Sequence, residues 1–176
     1  MSEWLLAAVV VVGAVYAIVV YNRLVRDRQF TRSGWSDIGV QLKRRHDLIP
    51  QLVEAVRRYA AWEQATLARV SELRVQAQNV AAAAQQGPLE GDISRQIGSI
   101  FALQEAYPEL RADSNFLQLQ TEISTVETDI QFARRYYNGA VRNLNTRIDS
   151  FPDLLLARLF AFRAAEYFEF EESGSG

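Results

Sequence analysis

The sequence predicts an all-α protein: an N-terminal transmembrane helix continuing into a long-helix four-helix bundle. Three observations carry this. Residues Trp4 to Tyr21 hold no charge and no strong polar group. Beyond them, apolar side chains recur at steps of three and four, the spacing of a helix that buries one seam. No stretch shows the alternation of a strand, and no internal repeat occurs beyond the heptads.

The apolar run comes first in the chain. As a helix it is about 27 Å long, close to the roughly 30 Å of a bilayer hydrocarbon core. A single strand would leave backbone groups unpaired in lipid, so helix is the form expected. Trp4, Val10, Gly13, Tyr16 and Tyr21 mark the anchor. The leader Met-Ser-Glu lacks the positive charge of a signal peptide, and the run ends without a small-residue cleavage site, so an uncleaved anchor is expected. A buried core helix would need a polar face, and this run has none. Arg23, Arg26, Arg28 and Arg32 follow at once. By the positive-inside rule they predict an inner-membrane, single-pass topology with the N-terminus outside and the bulk of the chain cytoplasmic. The expected organisation is an anchor over 1–22, a basic helical stalk over 23–34, a bundle over 35–170 and a flexible tail over 171–176.

The chain has 176 residues and a net charge of −2. With the anchor removed, about 150 remain, enough for one domain with a core. The charge gives no pull toward nucleic acid. Without cysteine, disulfide and thiolate chemistry are excluded. Lys43 is the sole lysine and His46 the sole histidine.

The first bundle helix is expected over about 35–84, continuous with the anchor. Its register runs through Trp35, Ile38, Leu42, Ile49, Leu52, Val56 and Tyr59, then Val70 and Leu73; Arg45, Glu63 and Thr66 interrupt it. Pro50 removes the amide that would bond the carbonyl of His46, and because the register passes it intact, a kink rather than a break is expected. Gln85 to Gly91, with two glycines and a proline, reads as the loop that ends this helix. A second helix, 92–106, is given Asp92 as N-cap. Tyr107-Pro108-Glu109-Leu110 reads as a turn or one more irregular helical turn, and Asp113 or Ser114 as the next cap.

The third helix, 114–150, has the clearest pattern. Phe116, Leu119, Ile123, Val126, Ile130, Ala133, Tyr137, Ala140 and Leu144 alternate steps of three and four. Arg147 then takes the next seam position and Ile148 replaces it, a small stutter. Pro152 closes this helix, and a last one is expected over 152–168. The acidic, aromatic stretch from Glu166 follows. The closing Ser-Gly-Ser-Gly, native or appended, is left out of the fold reasoning.

Catalytic sets are missing. A dinuclear bundle site would need two Glu-x-x-His motifs, and one histidine cannot supply them. His46 reads as a mid-helix surface or cap-like residue, and a triad through it lacks a nucleophile elbow. No phosphate loop is present. No metal, cofactor or small-molecule substrate is therefore expected, and no enzymatic activity. The polar residues beside the seams say more. Glu127 and Arg134 are seven apart, as are Asn138 and Asn145, each pair along one stripe. They read either as a solvated flank or as cross-helix bonds that fix register, with Arg45 and Glu63 as candidate partners.

Those residues also resemble a known family. Tyr21-Asn22-x-Leu24-Val25, the block Trp35-Ser36-Asp37-Ile38-x-Val40-Gln41-Leu42-Lys43-Arg44-Arg45-His46-Asp47-Leu48-Ile49-Pro50-x-Leu52-Val53-Glu54, and Tyr107-Pro108-x-Leu110 are similar in order and spacing to the LemA family of bacterial membrane proteins. So are Phe116-x-x-Leu119-Gln120, Glu127-x-x-Ile130, Arg134-x-x-Tyr137-Asn138, Asn145, Phe151-Pro152 and Tyr167-Phe168-Glu169. The resemblance covers nearly the whole chain. It implies a membrane span with a mainly cytoplasmic four-helix domain and an accessory or scaffold role, and it does not imply a catalytic activity; some members are encoded near membrane proteases or TPM-domain proteins. Ala161 departs from the family's frequent Phe-Gly-Phe turn and leads us to expect a straighter last helix.

The function expected is a membrane-anchored scaffold organising itself or protein partners at the cytoplasmic face. Ala7, Ala8, Gly13, Ala14 and Ala17 offer close helix approach for a homo-oligomer. The alternatives are an adaptor or regulator of a membrane protease or envelope-stress system, and a membrane-remodelling protein inserting Phe160, Phe162, Phe168 and Phe170.

Overall fold

A computed structural model describes residues 2–170; Met1 and the tail 171–176 lie outside the described residues. The described chain is all-α, and no strand occurs in it. The helices are α1 (Ser2–Arg57), α2 (Gln64–Gln78), α3 (Ala83–Ala102), α4 (Pro108–Arg111), α5 (Ser114–Asp149) and α6 (Asp153–Leu159). A single 3-10 turn, Leu103–Glu105, follows α3. Two compact units divide the chain: one takes the chain up to Trp35 with Arg135–Glu166, the other Ser36–Arg134 with the chain from Tyr167 onward.

In the first unit the beginning of α1 is apolar and exposed. This segment is long and apolar enough to cross a membrane. Trp4 is 83% and Val10 70% exposed. From Val20 onward one face is buried: Val20 and Leu24 pack with Leu144 and Ile148 of α5 and Ala157 of α6. Further along, Gly34 lies under α5, where an added Cβ would meet the Tyr137 Cα at 3.1 Å. The neighbouring rings of Trp35 and Tyr137 are 5.4 Å apart.

In the second unit Ile38, Leu42, Ile49, Leu52 and Val56 form the buried seam of α1. The helix continues through Pro50. It then ends at Arg57, well short of the expected position near residue 84. No glycine or proline marks that end. The turn is held instead by tertiary contacts: Ala60 is fully buried, Tyr59 donates to Asp113 Oδ2 at 2.8 Å, and Tyr107 donates to Glu63 Oε1 at 3.4 Å. The chain reverses into α2, whose Leu67, Val70, Leu73 and Ala77 are buried. One bond ties α2 to α1. The His46 carbonyl, deprived of its amide partner by Pro50, accepts a hydrogen bond from Arg74 Nε at 2.8 Å.

The stretch Gln85–Gly91 is helical rather than a loop, and Asp92 lies inside α3, paired with Arg95, rather than capping it. The glycines there serve packing. A Cβ at Gly87 would collide with the Glu169 carbonyl, and one at Gly91 would touch the Phe170 ring. Pro88 is the sixth residue of α3, and its missing amide leaves the Ala84 carbonyl without its helical partner. Asp113 caps α5: its Oδ1 accepts from the Phe116 amide at 2.8 Å. That bond holds the Asp113 carboxyl below its ordinary range. The α5 seam is buried from Phe116 to Ile148, with Ala133 half-buried.

The last helix is the largest departure. It spans only Asp153–Leu159, and the chain from 162 to 170 is irregular. Ala161 has φ of 53°. The Phe162 amide bonds the Ala157 carbonyl at 2.9 Å and the Ala161 amide bonds that of Arg158 at 3.1 Å. These are the two bonds of a Schellman C-cap, whose C′ residue takes left-handed backbone and is usually glycine. The turn of Phe160-Ala161-Phe162 therefore forms although alanine stands where glycine is favoured. Replacing Ala161 with glycine should stabilise the fold by about 1 kcal/mol, after removal of the left-handed penalty. The checking measurement is thermal denaturation of the detergent-solubilised chain, where a rise of about 2–4 °C is expected.

Candidate functional site

Arg45 interrupts an apolar seam, and a charge there must find partners or destabilise the fold. Its side chain is fully buried. Nη1 donates to Glu127 Oε1 of α5 at 2.7 Å and to Ser94 Oγ of α3 at 2.7 Å. Nη2 donates to the Glu90 carbonyl at 3.2 Å and pairs with the Glu90 carboxylate. Nε is buried without a hydrogen-bond partner.

Glu90 is fully buried as well. His46, only 4% exposed, sets Nε2 2.9 Å from Glu90 Oε1. A carboxylate only accepts, so Nε2 carries the proton. This corrects the surface reading of His46: Pro50 and Arg74 fix its backbone while Glu90 holds its ring. Burial pushes the Glu90 carboxyl up, but the His46 bond and the Arg45 charge outweigh it and hold the group below its ordinary value. One side of Glu127 is accessible, its side chain being 25% exposed. The site thus joins α1, α3 and α5, with α2 attached through Arg74.

A second seam arginine is met in the same way in the first unit. Arg147 Nε donates to Asp27 Oδ2 of α1 at 2.6 Å, and Nη1 to Asp153 Oδ2 of α6 at 3.2 Å. Tyr16 donates its hydroxyl to Asp153 Oδ1 at 2.8 Å. Tyr21 lies against Phe160 with ring centroids 4.8 Å apart, and Arg28 sits 5.0 Å over the Phe162 ring.

Of the polar residues singled out in the sequence, Arg45 and Glu127 meet directly. Glu63 lies beyond the end of α1, at the start of α2, and accepts from Tyr107. Arg134 lies 4.9 Å over the Phe170 ring. Asn145 clasps the backbone of Ala165, donating to its carbonyl and accepting from its amide, each at 2.9 Å. Glu90 and Asp27 carry no signal in the sequence that marks them as partners of the seam arginines. Among the described residues no group of three His, Asp or Glu side chains is arranged to hold a metal ion.

The model of the LemA family matches residues 34–175. The chain belongs to the LemA family. Protein LemA of Metamycoplasma hominis is 30% identical over 154 residues, covering 84% of this chain and 69% of its own length. Magnetosome protein MamQ 2 of Paramagnetospirillum magneticum is 26% identical over 180 residues, covering 88% of this chain. Magnetosome protein MamQ of Magnetospirillum gryphiswaldense is 23% identical over the same share. The chain spans 66% of the length of these two MamQ proteins. None of the three is named for a catalytic activity. The family match begins at residue 34, so it takes in the Arg45 site whole.

Two outcomes follow for the LemA-family core. Arg45→Met leaves the buried Glu90 carboxylate with His46 and a long bond from Gln86 but no permanent cation, and should cost about 3–5 kcal/mol in urea denaturation, whereas Arg45→Met combined with Glu90→Met should recover most of it. The second concerns acid. The folded-state value of Glu90 is depressed, so its contribution is complete above the unfolded value of about 4.3 and is lost as pH falls through the folded value. Arg45, His46 and Glu127 are the charged or titratable side chains bonded into this site. Denaturation at stepped pH should show the native chain converging on Glu90→Gln below about pH 4.

Proposed function

We propose that this LemA-family chain is a single-pass membrane scaffold. The apolar start of α1 spans the inner membrane with its N-terminus outside. Arg23, Arg26, Arg28 and Arg32 hold the bulk of the protein on the cytoplasmic side, where it organises copies of itself or protein partners. One observation carries the reading: α1 is unbroken from Ser2 to Arg57, yet its first residues are exposed apolar side chains and its later ones a buried seam. An apolar surface of that extent is not stable in water and marks a lipid or protein contact. Confinement to a membrane raises effective concentration, so weak contacts assemble.

The adaptor reading has its own observation. Trp62, on the turn between α1 and α2, is 92% exposed. Exposed aromatics of this kind anchor protein interfaces.

The test uses the full chain in its native membrane. Alkaline washing should leave it in the membrane fraction, and protease added to intact cells should spare the larger part. A photo-crosslinker at Trp62 should give a dimer band for the scaffold, or one discrete heavier product for the adaptor. Release by alkali rejects the anchor, and crosslinking that yields monomer alone rejects both organising roles.

A further inference from the structure

The first unit holds a second apolar surface, separate from the span but level with it. It lies on α6 and the turns that flank it. Phe151 is 80% exposed, Leu155 60%, Leu159 73% and Phe160 49%. Leu155 and Leu159 are spaced by four on α6, so they share one face; Phe151 is exposed on the turn before the helix. The opposite side of α6 is used for packing: Ala157 is buried against Val20 and Leu24, with Leu156 alongside.

The depth of this surface is fixed by side chains of α1. Tyr16 bonds Asp153, at the start of α6. Tyr21 lies against Phe160, just past its end. The Cα–Cβ bonds of α1 tilt toward its N-terminus, so Asp153 is level with Tyr16 or further along toward Trp4. Phe151 and Pro152, at the tip between α5 and α6, come just before it.

Bilayer thickness then decides what surrounds the tip. The run Trp4 to Tyr21 rises about 27 Å and roughly fills a hydrocarbon core. A bilayer that stopped short of the tip would have only Trp4 to Tyr16 to span it, about 20 Å. Thinning by some 10 Å is costly. We propose that α6 and its flanking turns are a second membrane contact, inserted edge-on into the leaflet where the span ends. The occupant of the Phe151–Leu155–Leu159–Phe160 face is lipid.

The polar groups at that depth fit this placement. Asp153 is paired with Arg147, which it shares with Asp27, and also accepts from Tyr16, so its own carboxylate is not left alone; the exposed Asp149 at the end of α5 must face the headgroup side. Arg158 and Arg163 are exposed, and arginine reaches back to phosphate headgroups along its own aliphatic stem. The remodelling reading is narrowed accordingly. Phe168 is fully buried, and Phe170 packs on Phe168 and Arg134. Phe162 lies half-buried under Arg28. Of the four phenylalanines named from the sequence, Phe160 alone is exposed on this face.

The proposal rests on the anchoring reading above, and one experiment separates the two. The chain lacks cysteine, so single cysteines introduced at Leu155, Leu159, Val10 and Gln118 each carry one spin label. The full chain is reconstituted in phosphatidylethanolamine–phosphatidylglycerol vesicles, and relaxation by oxygen is compared with that by a water-soluble nickel chelate. Labels at Leu155 and Leu159 should favour oxygen severalfold over the label at exposed Gln118, approaching Val10. If Val10 favours oxygen but the α6 labels match Gln118, the anchor stands and the second contact is overturned. Labels on α6 shielded from both reagents would mean that protein covers the face, which overturns it too. A Val10 label open to the nickel chelate rejects the anchor and, with it, this proposal.

Discussion

A positive charge set in a hydrophobic seam can stay only if carboxylates come to it from the neighbouring helices. Arg45 imposes this condition on the fold. Its guanidinium is planar and permanently charged, with donors in a fixed fork. Glu127 of α5 and Glu90 of α3 meet that fork from two directions. Sliding any of these helices by one turn would leave a buried charge without its partner, a penalty of several kcal/mol. Apolar seams alone tolerate such slips far better. The charge therefore selects one register among those the leucines and isoleucines would accept. Arg147 repeats the device in the first unit, with Asp27 and Asp153 in place of the glutamates.

Backbone groups left over by prolines and glycines are drawn into the same scheme. Pro50 frees the His46 carbonyl, and α2 uses it through Arg74. The imidazole on that same residue turns to Glu90. One residue thus fastens α2 by its backbone and α3 by its ring. On α3, Gly87 and Gly91 leave room for the backbone of Glu169 and the ring of Phe170. Tyr137 and Asn145 bond the backbone of Glu166 and Ala165. Residues 162–170 make no regular structure, yet the polar backbone of Ala165 and Glu166 is met by α5 side chains.

Much of this was legible in the chain. Ten apolar positions at helical spacing identified α5, and the 18 uncharged residues from Trp4 identified the exposed half of α1. Arg45 and Glu127 were marked by sitting at or beside a seam. Other features left no local signal. Glu90 lies between two glycines and two residues after a proline, residues that ordinarily announce a loop; here the small residues admit another segment of backbone, a reason visible only once that segment is in place. The end of α1 at Arg57 depends on Ala60, Tyr59 and Asp113, which are distant in sequence. Ala161 misled in the opposite sense. Alanine favours helix, but two C-cap bonds and the Tyr21–Phe160 contact outweigh that preference. His46 was misjudged because a lone histidine beside an aspartate on a helix reads as exposed, and its partner was in the misread loop.

The Arg147 cluster also bears on where α6 can reside. An aspartate level with Tyr16 would be expelled from an acyl environment if it stood alone, because desolvating a carboxylate costs several kcal/mol. Arg147 is available to it only because the α5 seam stutters there, placing a cation where an aliphatic residue was due. Asp27 shares that cation and holds it against α1. The pairing that fixes α5 against α1 therefore also gives the carboxylate at the start of α6 a cationic partner. With that carboxylate partnered, the outer face of α6 is free to be as apolar as Leu155 and Leu159 make it, with Phe151 exposed on the turn before it. A solvated helix in this position would gain nothing from such a face, whereas a helix at the edge of a bilayer gains roughly 1.5–3 kcal/mol for each large side chain removed from water.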